Sequence, residues 1–167
     1  MYSVGDLVMY GIHGVCRITD LEERSVSHKH IRYFVLEPLE VSGAKFLIPA
    51  DKEATLAKLR PVLSREELDT LLHSAEVHKD VWIPDENQRK QRYRELISSG
   101  DRMALLQMVG TLHAHRKRQA AAGRKFHLCD DNFLRDAQRL LGTEFALVLG
   151  MDIVQAEKYV LETLNGE

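Results

Sequence analysis

Residues 82–125 read WIPDENQRKQRYRELISSGDRMALLQMVGTLHAHRKRQAAAGRK, and their punctuation predicts two consecutive helices. Pro84 and Asp85 open the first: Asp85 is a natural cap, and acids at Asp85 and Glu86 suit a helix N-terminus. Ser98-Ser99-Gly100 closes it, glycine being the residue that adopts a left-handed stop without strain. Tyr93, Leu96 and Ile97 form its apolar stripe, which predicts that Arg89, Lys90, Arg92 and Arg94 are solvated. Asp101 caps the second helix, expected to run through Ala121 and to stop at Gly123. Its buried face is Leu105, Met108, Val109 and Leu112, and Arg116-Lys117-Arg118 falls in its last turns.

Helical periodicity continues on both sides. Ser64-Arg65-Glu66-Glu67 is a capping box, and Leu68, Leu71, Leu72 and Ala75 predict a helix over 65–76. Asp130 or Asp131 is expected to cap a further helix whose stripe is Phe133, Leu134, Ala137, Leu140, Leu141, Phe145 and Val148. Gly150 ends it, and Asp152 starts a last helix reaching about Leu164. Residues 61–167 thus read as a compact bundle of about five helices.

Residues 1–60 have a different period. Val4 to Tyr10, Val15 to Thr19, Ile31 to Leu36 and Lys45 to Ile48 read as four short strands. Gly11 to Gly14 and Ser42-Gly43 serve as turns, the polar run Glu22 to His30 makes a loop or hairpin connection, and Ala50 to Arg60 reads as one short helix. The fold class is α+β: a small, strongly bent sheet followed by the bundle. An open sheet of this size leaves an edge strand, a ready docking surface for another protein.

Charge separates the regions further. Residues 79–125 hold eleven cations against five acids, while the whole chain of 167 residues sits at −2. A near-neutral chain with one basic segment suggests a polyanion site. Residues 126–167 carry three cations and eight acids, so part of that charge can be offset within the molecule. Trp82, the only tryptophan, stands at the head of the basic stretch. It suits either stacking on or wedging between bases, or a domain interface.

No apolar run approaches the roughly 20 residues of a membrane span, and MYSVGDLVMYG does not read as an export signal. Cys16 and Cys129 suggest free thiols in a reducing compartment, so a cytoplasmic protein is expected. No phosphate loop, paired carboxylates or nucleophile motif points to an enzyme, and no cofactor is expected. His13 between glycines reads as a turn or packing histidine. His113, His115, His127 and Cys129 lack metal-ligand spacing, since residues i and i+2 of a helix do not face one another.

Taken in order, these segments resemble the CarD/CdnL-type bacterial transcription regulators. The resemblance is carried by Val4-Gly5-Asp6-Leu7-Val8-Met9-Tyr10 with His13-Gly14-Val15, by Tyr33-Phe34-Val35-Leu36, and by Leu47-Ile48-Pro49-Ala50. Further on it rests on Leu96-Ile97-Ser98-Ser99-Gly100-Asp101 and on the 130–148 helix with Glu144-Phe145-Ala146-Leu147. It implies a Tudor-like module over 1–60 that binds the RNA polymerase β subunit, with Arg24, Lys45, Leu47, Ile48 and Pro49 as contacts. It also implies that the helical domain touches the minor groove and phosphates of promoter DNA at the upstream edge of the melted region. There a tryptophan wedge stabilises the open complex. Carried onto this chain, the DNA contacts are Trp82, Arg89, Lys90, Arg92, Arg116, Lys117 and Arg124, in a protein expected to be monomeric when free and associated with the nucleoid through polymerase. Leu47 stands where the family has an arginine, and Trp82 lies further from the Ser99-Gly100-Asp101 turn than the family's tryptophan. Those departures leave a second reading, a protein–protein adaptor on the same fold with little DNA contact.

Overall fold

The computed structural model describes residues 2–166. The chain forms two compact units, Met1–Val62 and Leu63–Glu167, the first built on an antiparallel sheet and the second on helices. The fold is α+β, as the change of period predicts.

In the first unit, β1 (Leu7–Tyr10) leads through a 3-10 turn at Gly11–His13 into β2 (Val15–Val26) and β3 (Lys29–Pro38). β4 (Phe46–Pro49), a four-residue α1 (Glu53–Leu56) and β5 (Leu59–Pro61) follow. The strand order is β4-β3-β2-β1-β5, all neighbours antiparallel. Val8, Cys16, Ile18, Phe34, Leu36, Ile48 and Leu59 make the core. His13 is a packing histidine, its ring 5.2 Å from that of Tyr10 and 4.3 Å from that of Phe46.

For this unit one open alternative is decided and one expectation is corrected. Of the loop and the hairpin that Glu22 to His30 allows, the structure has the hairpin: β2 and β3 pair from Cys16↔Pro38 to Val26↔Lys29, and the chain turns only at Ser27 and His28. Both turn residues have positive φ, 50° and 66°, the twist that a two-residue hairpin requires. The distal ribbon is mostly exposed, so it lacks the apolar alternation by which strands are recognised. Secondly, Ala50 to Arg60 is not one helix. Leu59 to Pro61 pairs with β1, bringing Leu59 into the core, and makes a fifth strand. Pro61 is tolerated there because β5 is an edge.

The second unit packs α2 (Arg65–Leu72), a 3-10 turn (Ala75–His78), α3 (Glu86–Ser99), α4 (Arg102–Ala121), α5 (Leu128–Leu149) and α6 (Ile153–Leu164). The expected capping box at Ser64 and Glu67 is present, and Asp85, Asp101 and Asp152 cap their helices through side-chain oxygens. Gly100 and Gly150 stop α3 and α5 in the left-handed conformation. α2 ends at Leu72 rather than at residue 76. Ser74 caps Glu76 there and starts a 3-10 turn, which inserts Val77 into the core. α5 starts earlier than expected, with His127 at its cap position, so Asp130 and Asp131 lie in the first turn and neither is the cap. Gly142 brings α5 close to α6: a Cβ there would meet Glu157 Cγ at 3.1 Å and Ile153 Cγ2 at 3.2 Å. Leu106, Met108, Leu112, Leu134 and Phe145 are fully buried at the centre.

Candidate functional site

Between the 3-10 turn and α3, residues 79–85 run without regular structure, yet nearly every step is tied down. The Val81 N–H donates to Thr111 Oγ1 at 3.1 Å, and the Tyr93 hydroxyl donates to Val81 O at 3.0 Å. The Trp82 N–H donates to Asp80 Oδ1 at 2.8 Å. Arg89 donates from Nη1 to Ile83 O at 2.9 Å and, more weakly, to Pro84 O at 3.4 Å. The rest of its guanidinium forms a two-pronged pair with Asp130, Nε to Oδ1 and Nη2 to Oδ2, both at 2.9 Å.

That pair corrects a prediction. Arg89 is 3% exposed and Asp130 0%, so Arg89 is not a solvated cation and offers no charge to a phosphate. It is instead the post against which the segment is fixed. Its guanidinium carbon lies 4.2 Å from the centroid of the Trp82 ring, a cation–π distance. The His115 imidazole of α4 stacks on the same indole, with centroids 3.5 Å apart and planes inclined by 15°. Trp82 is thereby half-buried: one part packs against the helical core, and the rest stays accessible.

The other cations divide in two. Lys90 pairs with Glu86 at 3.1 Å, Arg92 with Glu95 at 3.4 Å, and Arg116 with Asp131 at 3.6 Å. Lys79, Arg94, Lys117, Arg118, Arg124 and Lys125 form no ion pair among the described residues. Of the residues expected to meet DNA, only Lys117 and Arg124 therefore combine exposure with an uncommitted charge. Sequence reasoning missed these roles of His115, Thr111 and Asp130, which depend on partners about 30–40 residues away in the sequence.

In the sheet unit, β4 pairs among the described residues only with β3 and stands at the edge of the sheet. Leu47 points outward at 39% exposure, whereas Ile48 is 2% exposed and belongs to the core, so Ile48 offers a partner only its backbone. Pro49 is half-buried opposite Tyr33. Lys45 lies 3.8 Å from Glu37, and Arg24, on the exposed ribbon, pairs with Glu22 at 3.1 Å.

Two family models cover almost the whole chain: the CarD-like/TRCF RID domain over residues 2–63, and the CarD C-terminal domain over residues 68–161. The chain belongs to the CarD family. It is also similar to the Bacillus subtilis (strain 168) protein named "Putative transcription factor YdeB", with 23% identity over 166 residues, 95% of this chain and 99% of that one. CarD-family members are transcription regulators, and the first domain is the polymerase-interacting type shared with the transcription-repair coupling factor. Among the described residues no helix is long and apolar enough to cross a membrane.

The Trp82–His115 stack gives this CarD-family protein a built-in optical probe, since Trp82 is its only tryptophan. Burial, then Arg118 and Arg89, hold the His115 pKa below its ordinary 6.5, with Asp80 and Asp130 opposing. The unfolded chain therefore binds this proton more readily than the folded one. The contribution of neutral His115 to stability is complete above about pH 6.5 and is lost as pH falls from there through the folded value. His113 is depressed in the same direction, by burial and by Arg116 and Lys117, and adds to the slope. Tryptophan fluorescence, quenched by an adjacent imidazolium, is expected to fall with a midpoint below pH 6.5, and His115→Gln to abolish that step. A midpoint at or above 6.5 would contradict the depression by burial, and the absence of any step would contradict the stack.

Proposed function

We propose that the chain binds the RNA polymerase β subunit along the β4 edge and contacts promoter DNA at the upstream edge of the bubble with Trp82, stabilising the open complex. The observation that carries this reading is the mounting of Trp82. A lone, half-exposed indole is braced by a buried Arg89–Asp130 pair and a stacked histidine, with uncommitted cations on the same unit. Such bracing lowers the conformational entropy lost when the ring enters a groove or meets an unstacked base. Lys117 and Arg124 supply phosphate contacts, and tethering to polymerase supplies the local concentration that two such contacts lack. The open edge at β4 supports strand-to-strand docking, with Leu47 as its outward apolar contact.

Two substitutions test the two halves. Trp82→Ala is expected to shorten the open-complex lifetime at least about tenfold, equivalent to about 1.4 kcal/mol, while co-purification with polymerase is unchanged. Leu47→Asp, at an exposed edge position, is expected to weaken polymerase binding by about 2 kcal/mol, roughly thirtyfold. An unchanged lifetime with Trp82→Ala overturns the DNA contact. Unchanged polymerase affinity with Leu47→Asp overturns docking at β4.

A specific observation favours the adaptor as a second reading: Arg89 is internal, and Lys90, Arg92 and Arg116 are already paired with acids. Binding to forked promoter DNA at two salt concentrations, with polymerase present, separates the readings. The adaptor predicts no salt-dependent gain in DNA retention.

A further inference from the structure

Among the described residues, the cations that form no ion pair lie outside helix α3, with Arg94 the exception. Two of them, Lys79 and Arg118, line one cleft of about 280 Å³ in the helical unit. One wall is the segment after the 3-10 turn, with Lys79 and Asp80. A second is α4, with Gly110, Thr111 and Arg118, and Asn165 at the end of α6 closes the third side. The volume lies just below the about 300–1,000 Å³ of clefts that enclose drug-sized ligands, so it suits one small charged group better than a whole nucleotide.

We propose that this cleft takes one backbone phosphate of the nucleic-acid strand whose base or groove Trp82 contacts. The proposal rests on the DNA reading of Trp82 and adds a site to it. Lys79 and Arg118 bring two positive charges against the single carboxylate of Asp80, whose Oδ1 already accepts the Trp82 N–H. Thr111 is 6% exposed; its oxygen accepts the Val81 N–H, and its hydroxyl proton is given no acceptor among the described residues. A phosphate oxygen in the cleft is a suitable acceptor. The end of α6 would by itself disfavour an anion, but the Leu161 and Thr163 carbonyls are occupied by the Asn165 and Gly166 N–H groups. Gly110 keeps side-chain bulk off the α4 wall, where nothing beyond Leu164 Cδ1 and Val77 O lies within 4.0 Å of a Cβ position.

Position along the chain supports the same ligand. Lys79 is three residues from Trp82, at most about 10 Å of extended backbone. Arg118 stands three residues beyond His115, on the adjacent turn of α4, and His115 carries the indole. A strand that touches Trp82 has its flanking phosphates within reach of the cleft. Asp80 joins the two, since one side chain both lines the cleft and holds the Trp82 backbone.

The test uses full-length protein on a polymerase–promoter open complex. Lys79→Ala/Arg118→Ala replaces two side chains that make no ion pair among the described residues, and its circular dichroism melt should match that of the parent. The variant is expected to shorten the open-complex lifetime several-fold and to reduce the dependence of log K on log salt by about one unit, the signature of one lost phosphate. Neutral methylphosphonate linkages, placed one at a time along the upstream edge of the bubble, should include one position at which parent and variant become equal. If every position leaves the difference intact, the site is not a phosphate site. If Trp82→Ala shortens the lifetime and the double variant does not, the cleft proposal falls and the Trp82 reading stands; if neither acts, both fall. Titration with inorganic phosphate and with a nucleoside triphosphate, read by Trp82 fluorescence without DNA, separates the sources. Saturable binding that the double variant loses, with no change in lifetime, would assign the cleft to a free phosphate ligand and overturn the backbone assignment.

Discussion

Asp130→Ala is expected to cost the helical unit about 3–5 kcal/mol, because it leaves a guanidinium buried without its counter-charge. Arg89 has little other recourse: at 3% exposure it cannot reach water, and its remaining bonds are to the Ile83 and Pro84 carbonyls. Against a typical domain stability of about 5–15 kcal/mol, that loss is a large fraction. The measurement is a urea midpoint followed by circular dichroism at the helix band, since tryptophan emission itself will move. A loss under about 1 kcal/mol would mean that the pair is solvated and that Trp82 is not braced by it. The paired replacement Arg89→Met/Asp130→Leu removes both charges and keeps apolar volume, so most of the stability is expected to return. It does not return the cation beside the indole or the bonds to Ile83 and Pro84. Stability restored with open-complex lifetime still shortened would identify the pair as positioning residues for Trp82. If stability and lifetime recover together, its role is structural only.

How much of this was visible in the sequence depends on how far each residue's partner lies. The boundaries of α3 and α4 were legible because Asp85, Gly100 and Asp101 act on backbone within three or four positions of themselves. β5 was not, because the three residues at Leu59 become a strand only through pairing with β1, about fifty residues earlier. The sequence leaves loop and hairpin open for the outer β2–β3 ribbon because neither of its faces is buried, and period-2 patterning comes from burial. Arg89 is the instructive case. It sits four residues before Tyr93, on the very stripe that marks the buried face of α3, so helical spacing did place it inside. The overriding assumption was that cations stay in water, which holds unless a partner is supplied. Here the partner is Asp130, 41 residues away, on a helix whose start was itself misplaced by reading that aspartate as a cap.

The second large effect is expected at Glu144→Ala. Glu144 is 1% exposed in the middle of α5 and receives Arg102 at both oxygens, Nε to Oε1 and Nη2 to Oε2, each at 2.6 Å. Its Oε2 also accepts the Leu63 N–H at 3.0 Å. One carboxylate thus pins the start of α4 and the first residue of the helical unit to the central helix. Alanine leaves a buried amide without an acceptor and takes from Arg102 both of its bonds to the carboxylate, for an expected loss of about 3–4 kcal/mol. The figure lies at the lower end of the range because Arg102, at 17% exposure, can turn partly to solvent where Arg89 cannot. Hydrogen exchange gives the decisive signature: the Leu63 amide should lose protection in Glu144→Ala but keep it in Asp130→Ala under conditions where both are folded. Equal protection of Leu63 in both variants would show that another group holds it. Asp130 and Glu144 stand 14 residues apart on α5, about 21 Å along its axis, and share no partner, so their losses should add. Together they amount to about 6–9 kcal/mol, comparable with the whole stability of a domain this size, and the double variant is expected not to fold.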